Sequence, residues 1–369
     1  MRKELKKRIL FIVPLPPPVH GSAMMCQYIK DSSLINEAFQ CDYVNLSTSR
    51  RMDEIGKSSI KKIFRFIGSY FAVLRKLIVH HYDACYLAIT CHGIGFLKDL
   101  PFVLLCKIFR RKIIIHQHNK GMADYVTRWP YRWLLPLVYR NATVVLLSWK
   151  LYSDIEKVVK REQVLICPNG ISDIDIMLQK HTGVMPHLLF LSNLMESKGL
   201  IDLLDACKIL KERGYNFTCN FVGGETKEID NHRFQEEVHV RELDGIVFYL
   251  GSKYGQEKYN IFSESDVLIF PTYNDCFPLV ILEAMRQSLA VITTDEGAIT
   301  DIVIDGITGL ISKKRCPEDL AEKIGSIFDN PETIVKMGQE GRKRFLENFT
   351  IKNYEERIRE LINHIILIK

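Results

Sequence analysis

Two acids eight positions apart, Asp275 and Glu283, stand on either side of Pro278 in a 369-residue chain. Around them, residues 266–295 read as strand, loop, helix and strand. The apolar run 267–270 is short and β-branched enough for a buried strand, Pro271 stops it, and 290–294 repeats the pattern. Leu279, Leu282, Ala284, Met285 and Leu289 recur at helical spacing, so Pro278 falls near a helix start, where a missing N–H costs nothing. The unpaired N–H groups of that first turn and the positive end of the helix dipole suit an anion such as a phosphate. Asp275 in the loop and Glu283 inside the helix would then face one crevice at two depths, placed to hold hydroxyls on either side of a bound phosphate. A strand-helix unit with solvated acids would show the same spacing.

Asp275, Phe277, Pro278, Glu283, Ala284 and Met285 resemble the E-G-F-G/P-x4-E-A-M signature of retaining glycosyltransferases of family four, which have the GT-B fold. In that family the first acid contacts the donor sugar and the second the nucleotide ribose. Here Asp275 stands where Glu is usual and Cys276 where Gly is usual. The resemblance therefore implies donor-site roles for Asp275, Phe277, Pro278, Leu279 and Glu283.

Other strand-end loops fall in the family's order. After the first strand, 9–13, His20 and Gly21 lead into a helix, and Gly21 would let backbone approach a ligand closely. Similar P-x-x-G-G loops in the family lie against donor phosphates, with His20 here in place of the first Gly. The stretch HQHNKG, 116–121, follows a strand, and in a parallel sheet ligands bind beyond the carboxyl ends of strands. The resemblance points to His118 first and His116 second, with His118 orienting donor and acceptor. The segment 164–171, VLICPNGI, is similar to the one that closes the first domain in this family, and Asn169 with Gly170 makes a turn on any reading. Lys198 and Gly199 at the mouth of a helix would suit a phosphate clamp. The family's G-R-L-x3-K-G places Asn193 where Arg is usual. Gly223 ends a strand, and Ser252 lies in the loop where the family holds the base through backbone groups.

Composition fixes the class of protein. With 47% hydrophobic and 25% charged residues the chain reads as an ordinary soluble protein of two domains. No apolar run reaches the roughly 18 residues of a membrane helix, and the basic N-terminus is followed by an apolar run too short for a secretory signal. The ten cysteines are scattered, without metal spacing, as reduced core residues would be. These features imply a cytoplasmic location and no metal ligand set. Residues 1–184 hold 28 Lys+Arg against 14 Asp+Glu, so the acidic excess lies in the other half. A basic half suits nucleic acid, anionic lipid or acidic substrates. Its aromatics fall in core rhythm rather than as stacking platforms, which argues against nucleic acid. The basic amphipathic segment 57–79 reads equally as a membrane-surface helix or as a solvated helix of a Rossmann-like domain.

Strands alternating with helices on both sides of the linker 179–186 give an α/β chain with parallel sheets. The resemblance makes this GT-B: an acceptor-side Rossmann-like domain, 1–180, a donor-binding domain, 185–349, and a last helix, 350–369, crossing back to the first. It implies transfer of a sugar, with retention, from a nucleotide-diphosphate sugar to a glycan or lipid-linked acceptor in cell-surface polysaccharide synthesis. No cofactor is implied, and peripheral contact with an anionic membrane is. Two alternatives share these residues: a nucleotide-sugar epimerase of the same fold, and a non-catalytic chain that binds a surface or partner.

Overall fold

The computed structural model describes residues 6–50, 54, 59–174 and 185–367. The linker positions 179–184 and the start of the basic helix, 57–58, lie outside them. The chain divides into two compact units, Met1–Gly170 with Ile351–Lys369, and Ile171–Thr350.

The first unit runs β1 (Arg8–Val13), α1 (Gly21–Asp31), α2 (Ser33–Ala38), β2 (Gln40–Asn45), α3 (Ile60–Val79), β3 (Ala84–Leu87), α4 (Gly93–Ile108), β4 (Lys112–His116), α5 (Tyr131–Tyr139), β5 (Ala142–Leu146) and β6 (Val164–Ile166). Its strands pair in parallel in the order β2-β1-β3-β4-β5-β6. Near-continuous apolar runs such as Ile9 to Val13 form these strands because helices cover both faces of a parallel sheet.

The second unit contains β7 (His187–Leu191), α6 (Leu200–Glu212), β8 (Thr218–Val222), α7 (Asn231–Val240), β9 (Val247–Tyr249), α8 (Gly255–Ser263), β10 (Val267–Phe270), α9 (Leu279–Arg286), β11 (Ala290–Thr294), α10 (Ile299–Ile302), β12 (Leu310–Ser312), α11 (Pro317–Phe328) and α12 (Pro331–Asn348). The strand order is β12-β11-β10-β7-β8-β9, again all parallel. The chain moves outward from β7 to β9, then restarts on the other side of β7 with β10. That reversal opens a crevice beyond the carboxyl ends of β7 and β10. The final helix, α13 (Ile351–Leu367), belongs to the first unit, where it packs on α1 and α2.

Candidate active site

The loops that leave β7 and β10 are stitched together at the reversal point of the second sheet. Gly199 ends the turn Glu196–Lys198 with φ of +77° and presses so closely on the Pro271 carbonyl that no Cβ fits between them. The Ser197 carbonyl accepts from Tyr273 N–H at 3.1 Å and from Thr272 Oγ1 at 3.2 Å. Lys198 is thereby aimed across the crevice. Its Nζ lies 2.6 Å from Asp275 Oδ2 and 2.9 Å from the Asn274 carbonyl.

Behind this pair lies a carboxylate that sequence reasoning passed over. Glu296 is buried, accepts the Asp275 N–H at 3.4 Å through Oε1, and meets Lys314 Nζ at 2.8 Å through Oε2. Gly297, with φ of +55°, fits directly under the Asp275 and Cys276 carbonyls. The loop acid is therefore held by backbone and by a second charged pair beneath it.

Pro278 is the N-cap of α9 and supplies no side-chain hydrogen bond, which leaves the first-turn N–H groups of Leu279 and Val280 directed outward. Glu283 sits about 6 Å further along the axis by helix geometry. Both its oxygens are taken by Lys258 Nζ, at 2.8 and 2.7 Å, from α8. No local pattern joins residues 25 positions apart in sequence, so Lys258 carried no signal. The Phe277 ring is buried and packs edge-on against Phe349 at 6.2 Å.

The ends of β7, β8 and β9 converge beside these groups. Asn193 Oδ1 accepts the Gly224 N–H at 3.2 Å, Gly223 lies against the Ser192 carbonyl with φ of +155°, and Ser252 Oγ faces Gly224. Asn193, Gly223 and Ser252 thus form one rim, built largely of backbone.

In the first unit, His20 caps α1, its Nδ1 accepting from Ala23 N–H at 3.4 Å, and Gly21 opens that helix beyond β1. Burial, and then the charge of Lys98, lower the His20 pKa. His116 ends β4 fully buried and bonded to the Tyr86 hydroxyl through Nδ1, while its Nε2 is buried without a hydrogen-bond partner among the described residues. Its ring lies 4.1 Å, centroid to centroid, under that of His118. Both His118 ring nitrogens are buried without a hydrogen-bond partner among the described residues, and so are Asn119 Oδ1 and Asn169 Oδ1. Native proteins seldom leave such groups unpaired. Burial, and then the nearby His20, bring the His118 pKa down to about 4, so its imidazole is neutral at pH 7 with one N–H and one lone pair to offer.

Among the described residues, no group of three or more His, Cys, Asp or Glu side chains is placed to hold a metal ion. No helix there is long and apolar enough to cross a membrane, and none of the ten cysteines forms a disulfide.

Two helix-covered, six-stranded parallel sheets define the GT-B class. Anabaena HepE, solved with UDP, superposes with a TM-score of 0.73 at 15% identity, over 97% of this chain and 100% of its own. Residues 180–344 match the family model for Glycosyl transferases group 1. An uncharacterized glycosyltransferase of Methanocaldococcus jannaschii, MJ1178, is 32% identical over 162 residues, which are 44% of this chain and 43% of that one. The capsular polysaccharide biosynthesis glycosyltransferase CapM of Staphylococcus aureus is 26% identical over 175 residues, 47% of this chain and 45% of CapM. The chain thus spans less than half the length of these relatives.

Proposed function

We propose that the protein is a retaining glycosyltransferase of family four that moves a sugar from a nucleotide-diphosphate sugar to a glycan or lipid-linked acceptor in cell-surface polysaccharide synthesis. The observation that carries the reading is the placement of Lys198, Asp275 and the open N-terminus of α9 around one strand-order reversal, with Glu283 one turn deeper. All four lie within the segment that matches the family model.

Departure of a nucleoside diphosphate builds negative charge on the leaving oxygens. Lys198 and the N–H groups of Leu279 and Val280 are fixed before reaction and would stabilise that charge without reorganising. Glu283, as a carboxylate held by Lys258, would accept from ribose hydroxyls, and Asp275 from hydroxyls of the donor sugar. Asn193, Gly223 and Ser252 would border the nucleotide. In the first unit, neutral His118 would exchange hydrogen bonds with a sugar hydroxyl, with Gly21 leaving room for close approach. CapM's role in capsule synthesis and the UDP bound to HepE support the substrate class. We place the enzyme in the cytoplasm, at the inner face of the membrane where a lipid-linked acceptor would lie.

Nucleoside diphosphate release from a panel of sugar nucleotides, with NMR of the product, tests this reading. Transfer with the donor's anomeric configuration retained, undiminished after dialysis against EDTA, is the expected result. Inversion, release of a free sugar isomer, or loss of turnover on chelation would each contradict it.

A further inference from the structure

Three helices of the first unit form one layer over one face of its sheet. Phe66 and Tyr70 of α3 meet Phe102 of α4 at 5.5 and 6.1 Å, and Phe96 of α4 meets Tyr131 of α5 at 5.9 Å. The inward side of α3 is therefore Phe66, Tyr70, Val73 and Leu77, of which the last two are fully buried. A solvated helix would be polar on the other side. Instead Ile60, Ile63, Phe64, Ile67 and Phe71 recur at helical spacing along the outer face, with Phe64 69% and Phe71 60% exposed. Helix α3 is thus apolar on two faces, of which the sheet and α4 cover one.

The same layer exposes apolar groups at its other edge. Trp129 is 78% and Trp133 66% exposed, and Ile94 and Ile108, at the two ends of α4 between them, also face solvent. Charge around these groups is predominantly positive, with the exposed Asp124 before Arg128 and Glu54 beside Lys62. Residues 55–82 contain no Asp or Glu, nor do residues 125–153, while Lys61, Arg65, Arg75, Arg128 and Arg132 fall within them. Arg128 and Arg132 lie over the rings of Tyr125 and Trp133, at 4.7 and 5.1 Å.

We propose that the outer face of α3, α4 and α5 is a docking surface for an anionic lipid bilayer. Exposed apolar surface of this extent marks an interaction site. Bulky apolar residues flanked by cations, with tryptophans at the margin, match the headgroup boundary, where apolar burial and attraction to acidic lipid act together. A second copy fits less well. A two-fold interface sets a patch against itself, which would bring two predominantly cationic surfaces together. The inference builds on the lipid-linked acceptor proposed above by giving the enzyme a defined seat at the membrane.

Flotation with vesicles of phosphatidylcholine, alone or mixed with phosphatidylglycerol, tests it on the full chain. Two variants are used: Ile63→Ser with Phe64→Ser and Phe71→Ser, and Trp129→Ala with Trp133→Ala. All five side chains are solvent-exposed, and thermal unfolding checks that each variant is folded. Wild type should float with the mixed vesicles, less so at high salt, and each variant should lose roughly tenfold in bound fraction, as expected when apolar anchors are removed from a surface helix. No flotation of wild type at low salt, equal flotation on phosphatidylcholine alone, or unchanged binding by both variants would overturn the proposal. So would a wild-type dimer in sedimentation that the α3 variant turns into monomers, because that face would then be an interface between copies. Nucleoside diphosphate affinity of the same proteins separates the two claims. Wild type that binds nucleotide but does not float refutes the docking surface alone, and wild type that floats without binding nucleotide refutes the proposed reaction alone.

Discussion

The Lys198 ammonium and the Asp275 carboxylate neutralise each other across 2.6 Å, while the second carboxylate oxygen accepts the Cys276 N–H at 3.0 Å. Both oxygens of the loop acid are thus committed, one to a cation from the neighbouring loop and one to its own backbone. Asp275→Glu restores the residue usual in family four but moves the carboxylate one methylene outward, where it cannot keep both contacts. The substitution should change the ranking of sugar nucleotides more than the affinity for the nucleotide alone. Competition between donors in steady state measures this, and an unchanged ranking would separate Asp275 from sugar choice.

Lys198 is positioned by Gly199, whose left-handed backbone lies against the Pro271 carbonyl. Gly199→Ala places a methyl group where no space exists and adds strain to the backbone, so a loss of about 2–4 kcal/mol is expected. Denaturant unfolding would register this as a lower midpoint. A midpoint equal to wild type would mean that the two loops separate without cost and that Lys198 is not held as described.

Much of this arrangement was legible in the sequence because it is local. The strands Lys112–His116, Val267–Phe270 and Ala290–Thr294 fall where their apolar runs place them, since a strand buried on both faces needs an unbroken run. Asp275, Pro278 and Glu283 share one loop-helix unit, so their spacing alone described their order. Partners contributed by other elements were not legible. Lys258 reaches Glu283 from α8, and Glu296 supports Asp275 from beyond β11, contacts that only the strand order brings about. The outer face of α3 was left between two readings for a different reason: periodicity reports that a face is apolar and is silent on whether anything covers it.

His118 gives the stability of the first unit a pH dependence of known sign. Its folded pKa of about 4 lies below the ordinary 6.5. As pH falls between those values, the unfolded chain takes up a proton that the folded chain refuses, so the native state is destabilised by at most about 3 kcal/mol. Above pH 6.5 the term is flat. His116, lowered well below its ordinary value by burial and then by His118, contributes with the same sign. Thermal unfolding of wild type should weaken as pH drops from 6.5 to 4, and the His118→Gln variant should show a shallower slope. Parallel slopes would contradict burial of a neutral His118.

The claim that the second unit holds a nucleoside diphosphate through Lys198 and Glu283 is tested most directly by calorimetric titration of wild type, Lys198→Ala and Glu283→Gln with UDP and the other common nucleoside diphosphates. Each substitution removes a charge-assisted hydrogen bond worth about 1.5–3 kcal/mol, so roughly a tenfold to hundredfold loss of affinity is expected for each. Affinities equal to wild type in both variants, for a nucleotide that wild type binds, would contradict the assignment of the donor site.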